Sequence, residues 1–149
     1  MIFDGNSHMA GVYLRFLADE MGLRDWTICV AEVPEVDENY SAAAQLSYGR
    51  KWVTIALAPD WATWREQDFR QTCVHELLHC HIEDVWEPLN SIKDIIGSHL
   101  YEPAHANMRL HIEHAIDAIA TEWGRRLLLP SEWAAQGEDT DGDVRGQDS

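Results

Sequence analysis

Two histidines four residues apart, with a glutamate directly after the first, constrain this chain more than any other feature: His75-Glu76-Leu77-Leu78-His79. An α-helix turns once in about 3.6 residues, so on a helix His75 and His79 stack on one face. Their two imidazole nitrogens then converge on one point, where a single Zn2+ fits. Glu76 lies about 100° round the helix from His75 and supplies a base at the rim of that point.

The surrounding residues read as helical. Thr63 and Glu66 form a T-x-x-E capping box that predicts the start. Pro88 predicts the stop, because proline cannot continue a helix. Between them Val74, Leu78, Ile82 and Val85 follow at spacings of four and three and predict a buried stripe. On a helical wheel that stripe lies about 60° to one side of His75, with His79 and Glu76 on the other. One flank is therefore expected in the core while the motif faces a cleft.

Catalytic zinc takes three protein ligands and keeps one position open. The downstream candidates are His81, Glu83, His99, His105, His111, Glu113 and His114. Residues 103 to 129 read as a long helix with Ile112, Ile116, Ile119, Trp123 and Leu127 as its apolar stripe. Glu113 borders that stripe and Asp117 follows one turn later, whereas His111 and His114 point toward water. A carboxylate at the edge of a packed face is costly unless something binds it, so Glu113 is the expected third ligand.

H-E-L-L-H followed by E-x-x-x-D on a later helix (Glu113 and Asp117) resembles the gluzincin branch of the zincin metallopeptidases. The short chain resembles the minimal single-domain forms found in phages and prokaryotes. The resemblance spans roughly residues 26 to 130, and its specific motifs are these two. It implies an α+β, zincin-like fold: an N-terminal helix, a small three-stranded, mostly edge-exposed sheet, an active-site helix and a C-terminal ligand helix. It implies His75, His79 and Glu113 as zinc ligands, Glu76 as general base, and Asp117 as the partner that fixes the ring of His75. The implied activity is peptide-bond hydrolysis by Glu-assisted attack of zinc-activated water, on a peptide or protein substrate. The longer members carry a further histidine, tyrosine or arginine motif for the oxyanion, and no clear equivalent stands in this chain. The alternative reading is a zincin-like metal-binding module, weakly active or inactive, that acts by binding a protein partner.

The remaining elements follow from local signals. Residues 7 to 21 read as a helix capped by Asn6 or Ser7 and ended by Gly22. Residues 26 to 33 read as a strand, and residues 34 to 39 as an acidic loop. Residues 42 to 48 and 52 to 58 flank Gly49-Arg50-Lys51 as a hairpin, the second strand central and the first at the edge. By the resemblance, an extended substrate pairs with that edge strand, and the small Ala42, Ala43 and Ala44 would let a peptide backbone approach. Residues 87 to 102 are expected to line one wall of the cleft, with a short helix broken at Gly97. Pro103 is expected in the first turn of the last helix and Pro130 at its end. Tyr101, His105 and Arg109 are each able to donate to an oxyanion, and the sequence selects none of them.

At 149 residues and 46% hydrophobic, the chain supports one domain with a real core, expected over residues 1 to 133. From residue 134 no apolar period survives, and an acidic, disordered tail is expected to 149. Asp139, Asp141 and Asp143 lack the glutamate that a calcium loop needs. The net charge of −15 argues against nucleic acid or an anionic membrane as a partner. No stretch approaches the ~18 to 20 apolar residues of a membrane span, and the first residues lack a leader's basic and apolar regions. Three cysteines exclude a full disulfide framework. Cys73 and Cys80 would be separated by about 10.5 Å of helical rise, too far for a bridge. Reduced thiols fit a cytoplasmic protein, in the host cytoplasm if phage-encoded.

Overall fold

The computed structural model describes residues 3–31, 41–47 and 49–140. The architecture is α+β. Helix α1 (Ser7–Glu20) leads to strand β1 (Thr27–Val30); strands β2 (Ala42–Ser47) and β3 (Trp52–Leu57) follow as a hairpin. Helix α2 (Glu66–Ile82) carries the histidine motif. Two short helices, α3 (Glu87–Ser91) and α4 (Lys93–Ile96), lead into the long α5 (Ser98–Gly124), and α6 (Pro130–Thr140) comes last. Among the described residues no helix is long and apolar enough to cross a membrane.

The first helix forms where its signals lie. The Asn6 side chain accepts from the backbone N–H groups of His8 and Met9, at 3.0 and 3.2 Å, satisfying donors that a helix start leaves free. Gly22, at φ +80°, carries the chain out of the helix in the left-handed region that glycine tolerates best.

The sheet order is β1-β3-β2. β3 is central, parallel to β1 and antiparallel to β2, with Ala42 opposite Leu57 and Ala44 opposite Ile55. Val53, Ile55 and Leu57 alternate as buried residues on one face. The Ser41 carbonyl accepts from the Ala58 N–H at 2.8 Å. Alternation along an antiparallel pair then turns the backbone polar groups of Ala42 and Ala44 to the outer edge of β2. Val33, Tyr48 and the acidic loop of residues 34 to 39 lie outside the described residues.

Helix α2 departs from its expected limits. It starts at Glu66 with Arg65 at the cap, and Thr63 instead donates to the Asp60 carbonyl at 2.8 Å, closing a turn of its own. The helix stops at Ile82, six residues before Pro88, which sits in the first turn of α3. Nor is α2 buried along one stripe. Phe69, Cys73, Val74, Glu76, Leu77, Leu78 and Cys80 are all buried, because sheet, α1, α5 and α6 surround it, while Val85 lies beyond its end and is exposed.

Helix α5 also differs from the reading of its apolar stripe. Its buried line is Tyr101, Ile116, Ala120 and Gly124, whereas Ile119 and Trp123 are exposed. Two helices that cross closely need small side chains at the contact, and Ala120 and Gly124 supply them. At Gly124 an added Cβ would meet the Gln71 backbone at 3.8 Å, an ordinary packing distance, so the crossing has room for no more than a small side chain there. Pro103 lies at the sixth position of α5 rather than in its first turn. Pro130 opens α6 rather than ending α5, so residues 134 to 140 are helical, not a disordered tail; residues 141 to 149 lie outside the described residues.

An aromatic cluster ties the ends of the domain together. Phe69 packs against Trp61, Phe3 and Tyr13, with ring centroids 5.4, 5.9 and 6.0 Å apart. Trp133 of α6 closes over Phe3, Tyr13 and Phe16. The buried Tyr13 hydroxyl donates to the Leu128 carbonyl at 2.6 Å, which satisfies its polar end. Phe69→Ala should therefore destabilise the fold by about 3–5 kcal/mol, the usual loss for a buried aromatic. Urea denaturation followed by tryptophan fluorescence measures it, and a loss below about 1 kcal/mol would show that this cluster is not central to the core.

Candidate metal centre

The contact line of α5 against α2 continues, one turn earlier, into two carboxylates. Glu113 and Asp117 share the face of Ile116 and Ala120, so the helix crossing delivers them to His75 and His79. One ligand atom from each of His75, His79 and Glu113 lies within 4.8 Å of the others, and the three residues can hold a metal ion. Both imidazoles approach the same carboxylate oxygen: Glu113 Oε2 is 3.4 Å from His75 Nε2 and 3.8 Å from His79 Nε2. Ligands about 2.0–2.2 Å from a tetrahedral ion stand about 3.3–3.6 Å apart. The two imidazole–carboxylate separations are close to that spacing, and the residue types suit such an ion.

Asp117 completes the arrangement. Its Oδ1 lies 2.9 Å from His75 Nδ1. A carboxylate oxygen only accepts, so Nδ1 donates in this contact, and Nε2 is the nitrogen directed at the shared point, where it would ligate a metal. Burial pulls His79 below the usual histidine range, with the Glu113 charge opposing, which favours the neutral ring that a metal requires.

Glu76 sits behind the ligands and is the buried charged residue of the core, 6% exposed. Desolvation pushes its carboxyl up to about 7, and the nearby Glu113 charge adds to the rise. His75 and a hydrogen bond from the Ala44 backbone N–H act in the opposite direction. The helix thus places a carboxyl that holds its proton well above the ordinary carboxylate range beside the three candidate ligands.

Two cavities meet at this point, and Ala42, His75 and Glu76 line both. One, of about 380 Å3, is completed by Ser41, Asp68, Gln71, Thr72 and Asp117. The other, of about 210 Å3, is completed by Ala43, Ala44, His79, Arg109 and Glu113. Together they form a groove between α2 and the outer edge of β2. Residues 87 to 102 line neither cavity, contrary to expectation. They pack instead around the start of α5, where the Tyr101 hydroxyl donates to Asn90 at 2.7 Å and His105 lies between Trp86 and Tyr101. Of Tyr101, His105 and Arg109, only Arg109 lines the groove.

Of the other histidines considered as ligands, His81 contacts the Met21 carbonyl at 2.9 Å, and His99, His111 and His114 are exposed. Burial raises the thiols of Cys73 and Cys80, the latter to about 12, so both stay protonated and pack rather than ligate. Sequence reasoning missed Asp68, Gln71 and Thr72 as groove residues and the Ala44 N–H as a partner for Glu76. Carrying the wheel of the histidine motif two turns toward the N-terminus would have found Asp68 and Thr72. No sequence signal marks the Ala44 contact, which comes from the docking of α2 on β2.

Comparison with protein-family models, with curated proteins and with solved structures finds no match to this chain.

Glu76 makes the metal-free fold pH-dependent. Its folded value, about 7, exceeds the ordinary 4.5, so its contribution is fully present below pH 4.5 and is lost as pH rises through 7. Between those limits the metal-free wild type should lose of order 3 kcal/mol relative to Glu76→Gln, which has no proton to release. Denaturation of both proteins at pH 5 and pH 8 checks this; equal pH slopes would contradict it. Asp117→Ala should lower metal affinity ~10- to 100-fold by freeing the His75 ring, measured by competition with a chromogenic chelator. Unchanged affinity would remove Asp117 from the site.

Proposed function

We propose that this chain is a zinc metallopeptidase of zincin-like fold that hydrolyses peptide bonds. The observation that carries the reading is the convergence of His75, His79 and Glu113 beside a buried carboxylate, on the floor of a groove whose opposite wall is an edge strand. A His2Glu donor set with an adjacent glutamate is suited to zinc hydrolysis. When bound, zinc supplies Lewis acidity toward water and a substrate carbonyl.

The chain's own groups account for the rest. Glu76 takes the proton of the attacking water and returns it to the leaving nitrogen, and burial, which raises its carboxyl, suits it to accept and release that proton. Asp117 holds the His75 tautomer through Nδ1. The outward backbone groups of β2 at Ala42, and the carbonyl of Ala44, are available to an extended peptide, as in strand addition. Methyl side chains along this stretch leave room for that backbone.

A second reading has one observation in its favour. Ile92, Ile95 and Leu100 are exposed around the turn into α5, with Ile95 81% exposed. Apolar side chains in the open fit a module that holds a protein partner.

Glu76→Gln separates the two readings. It should retain one equivalent of zinc by elemental analysis and lose turnover of an unfolded protein substrate by ~10^2- to 10^4-fold. Cleavage at the wild-type rate would overturn the assignment of the base. A wild type that holds zinc and cleaves no unfolded protein would favour the partner-binding module.

A further inference from the structure

The groove is not electrically uniform. Its larger cavity presents Asp68, Asp117 and Glu76 and no cation. Its smaller cavity has one cation, Arg109, the sole lysine or arginine lining either cavity. Arg109 projects from α5 one turn before Glu113, and its Nε stands 3.8 Å from Glu113 Oε1. That contact is a loose ion pair, too long for a hydrogen bond. The side chain is 55% exposed, and among the described residues its terminal nitrogens make no hydrogen bond. Glu113 turns its other oxygen, Oε2, to the two histidines. Arg109 therefore offers a planar donor fork to whatever enters the smaller cavity, beside the ligands but not among them.

Size limits the occupant. At about 210 Å3 this cavity is smaller than the ~300–1,000 Å3 of sites for drug-sized ligands, so it takes a short fragment of a peptide. Ala42, Ala43 and Ala44 of β2 line it on one side and His79 on another. A guanidinium fork in such a place matches one chemical group above others, a carboxylate, which it binds through two parallel hydrogen bonds.

We propose that Arg109 selects substrates that carry a carboxylate next to the bond presented to Glu76. This rests on the reading of the groove as a peptide cleft and adds its substrate class. The carboxylate has two possible sources, the C-terminal carboxyl of a peptide or an Asp or Glu side chain. Arg109 is in this view a specificity residue: it binds the substrate's anion and takes no part in proton transfer.

Binding measurements test it without relying on turnover. The probes are two pairs of short N-acetylated peptides. One pair differs only in a free against an amidated C-terminus; the other, C-terminally amidated, differs only in Asp against Asn. Calorimetric titration into zinc-loaded Glu76→Gln protein should show the carboxylate member of at least one pair binding about 10- to 100-fold tighter, the range of a charge-assisted hydrogen bond. The pair that responds identifies the source. Adding Arg109→Ala should abolish the preference with zinc content unchanged, and Arg109→Lys should restore part of it. Equal binding within both pairs, absence of binding by all four peptides, or a preference that survives Arg109→Ala would overturn the proposal. The cleft reading fails separately. A carboxylate preference in a protein whose wild type cuts nothing leaves Arg109 as an anion site and removes the peptidase. Cleavage of neutral peptides without any preference keeps the peptidase and removes the role of Arg109.

Discussion

Everything about this site depends on how closely α5 can approach α2. The contact runs through Ile116, Ala120 and Gly124, where side chains shrink along the helix until only backbone meets backbone. A residue larger than alanine at 120 or 124 would press α5 away from α2, and the carboxylates of Glu113 and Asp117 would move with it. Arg70 and Gln71 pin the same crossing, through the Leu127 carbonyl at 2.7 Å and the Thr121 hydroxyl at 3.0 Å. The candidate ligands thus stand on two packed helices, and sites built on helices are held more precisely than sites on loops.

That packing has an electrostatic consequence. The buried side of α2 is apolar from Phe69 to Cys80 with one exception, Glu76. An uncompensated carboxylate in such surroundings is destabilising, and only partial compensation is present: one hydrogen bond from the Ala44 N–H and the neighbouring His75. The carboxyl therefore sits near neutrality instead of in its usual acidic range. Tighter compensation would make Glu76 a poor proton acceptor at neutral pH, and weaker compensation would keep it protonated. Strongly shifted groups of this kind cluster at functional sites because stability alone would not retain them.

The parts of this arrangement visible in the sequence are those with a strong local period. The His75/His79 pair and the position of Glu113 and Asp117 on one face of α5 follow from spacing, the hairpin from its glycine turn, and the central place of β3 from its continuous apolar run. The departures share one cause, that tertiary packing overrides a local cue. Thr63-x-x-Glu66 has the letters of a capping box, yet Thr63 closes a separate turn. Pro88 and Pro130 are compatible with helix ends, but proline is equally at home in a first turn, and that is where both lie. Ile119 and Trp123 look like a core stripe because they are large and apolar; the crossing needed small residues one position away. The groove wall was misjudged because residues 87 to 102 carry no signal for the Tyr101–Asn90 and Trp86–His105 contacts that hold them elsewhere.

Strand β2 breaks a local rule in a way that the groove explains. Alanine is a weak strand former, and three in succession sit here on an edge that β-branched residues would build better. Such an edge is ordinarily a liability, since its unpaired backbone groups invite association. In this chain one donor of the outer edge is committed, the Ala44 N–H that serves Glu76, and the rest of that edge faces α2 across the groove. Ala42, Ala43 and Ala44 line a cavity of about 210 Å3 beside the candidate metal ligands, and a β-branched side chain on whichever face borders it would strengthen the strand and narrow the groove together. Weak strand propensity at these three positions is therefore consistent with an open groove, and a local preference set aside beside a site of this chemistry is more readily explained by function than by folding.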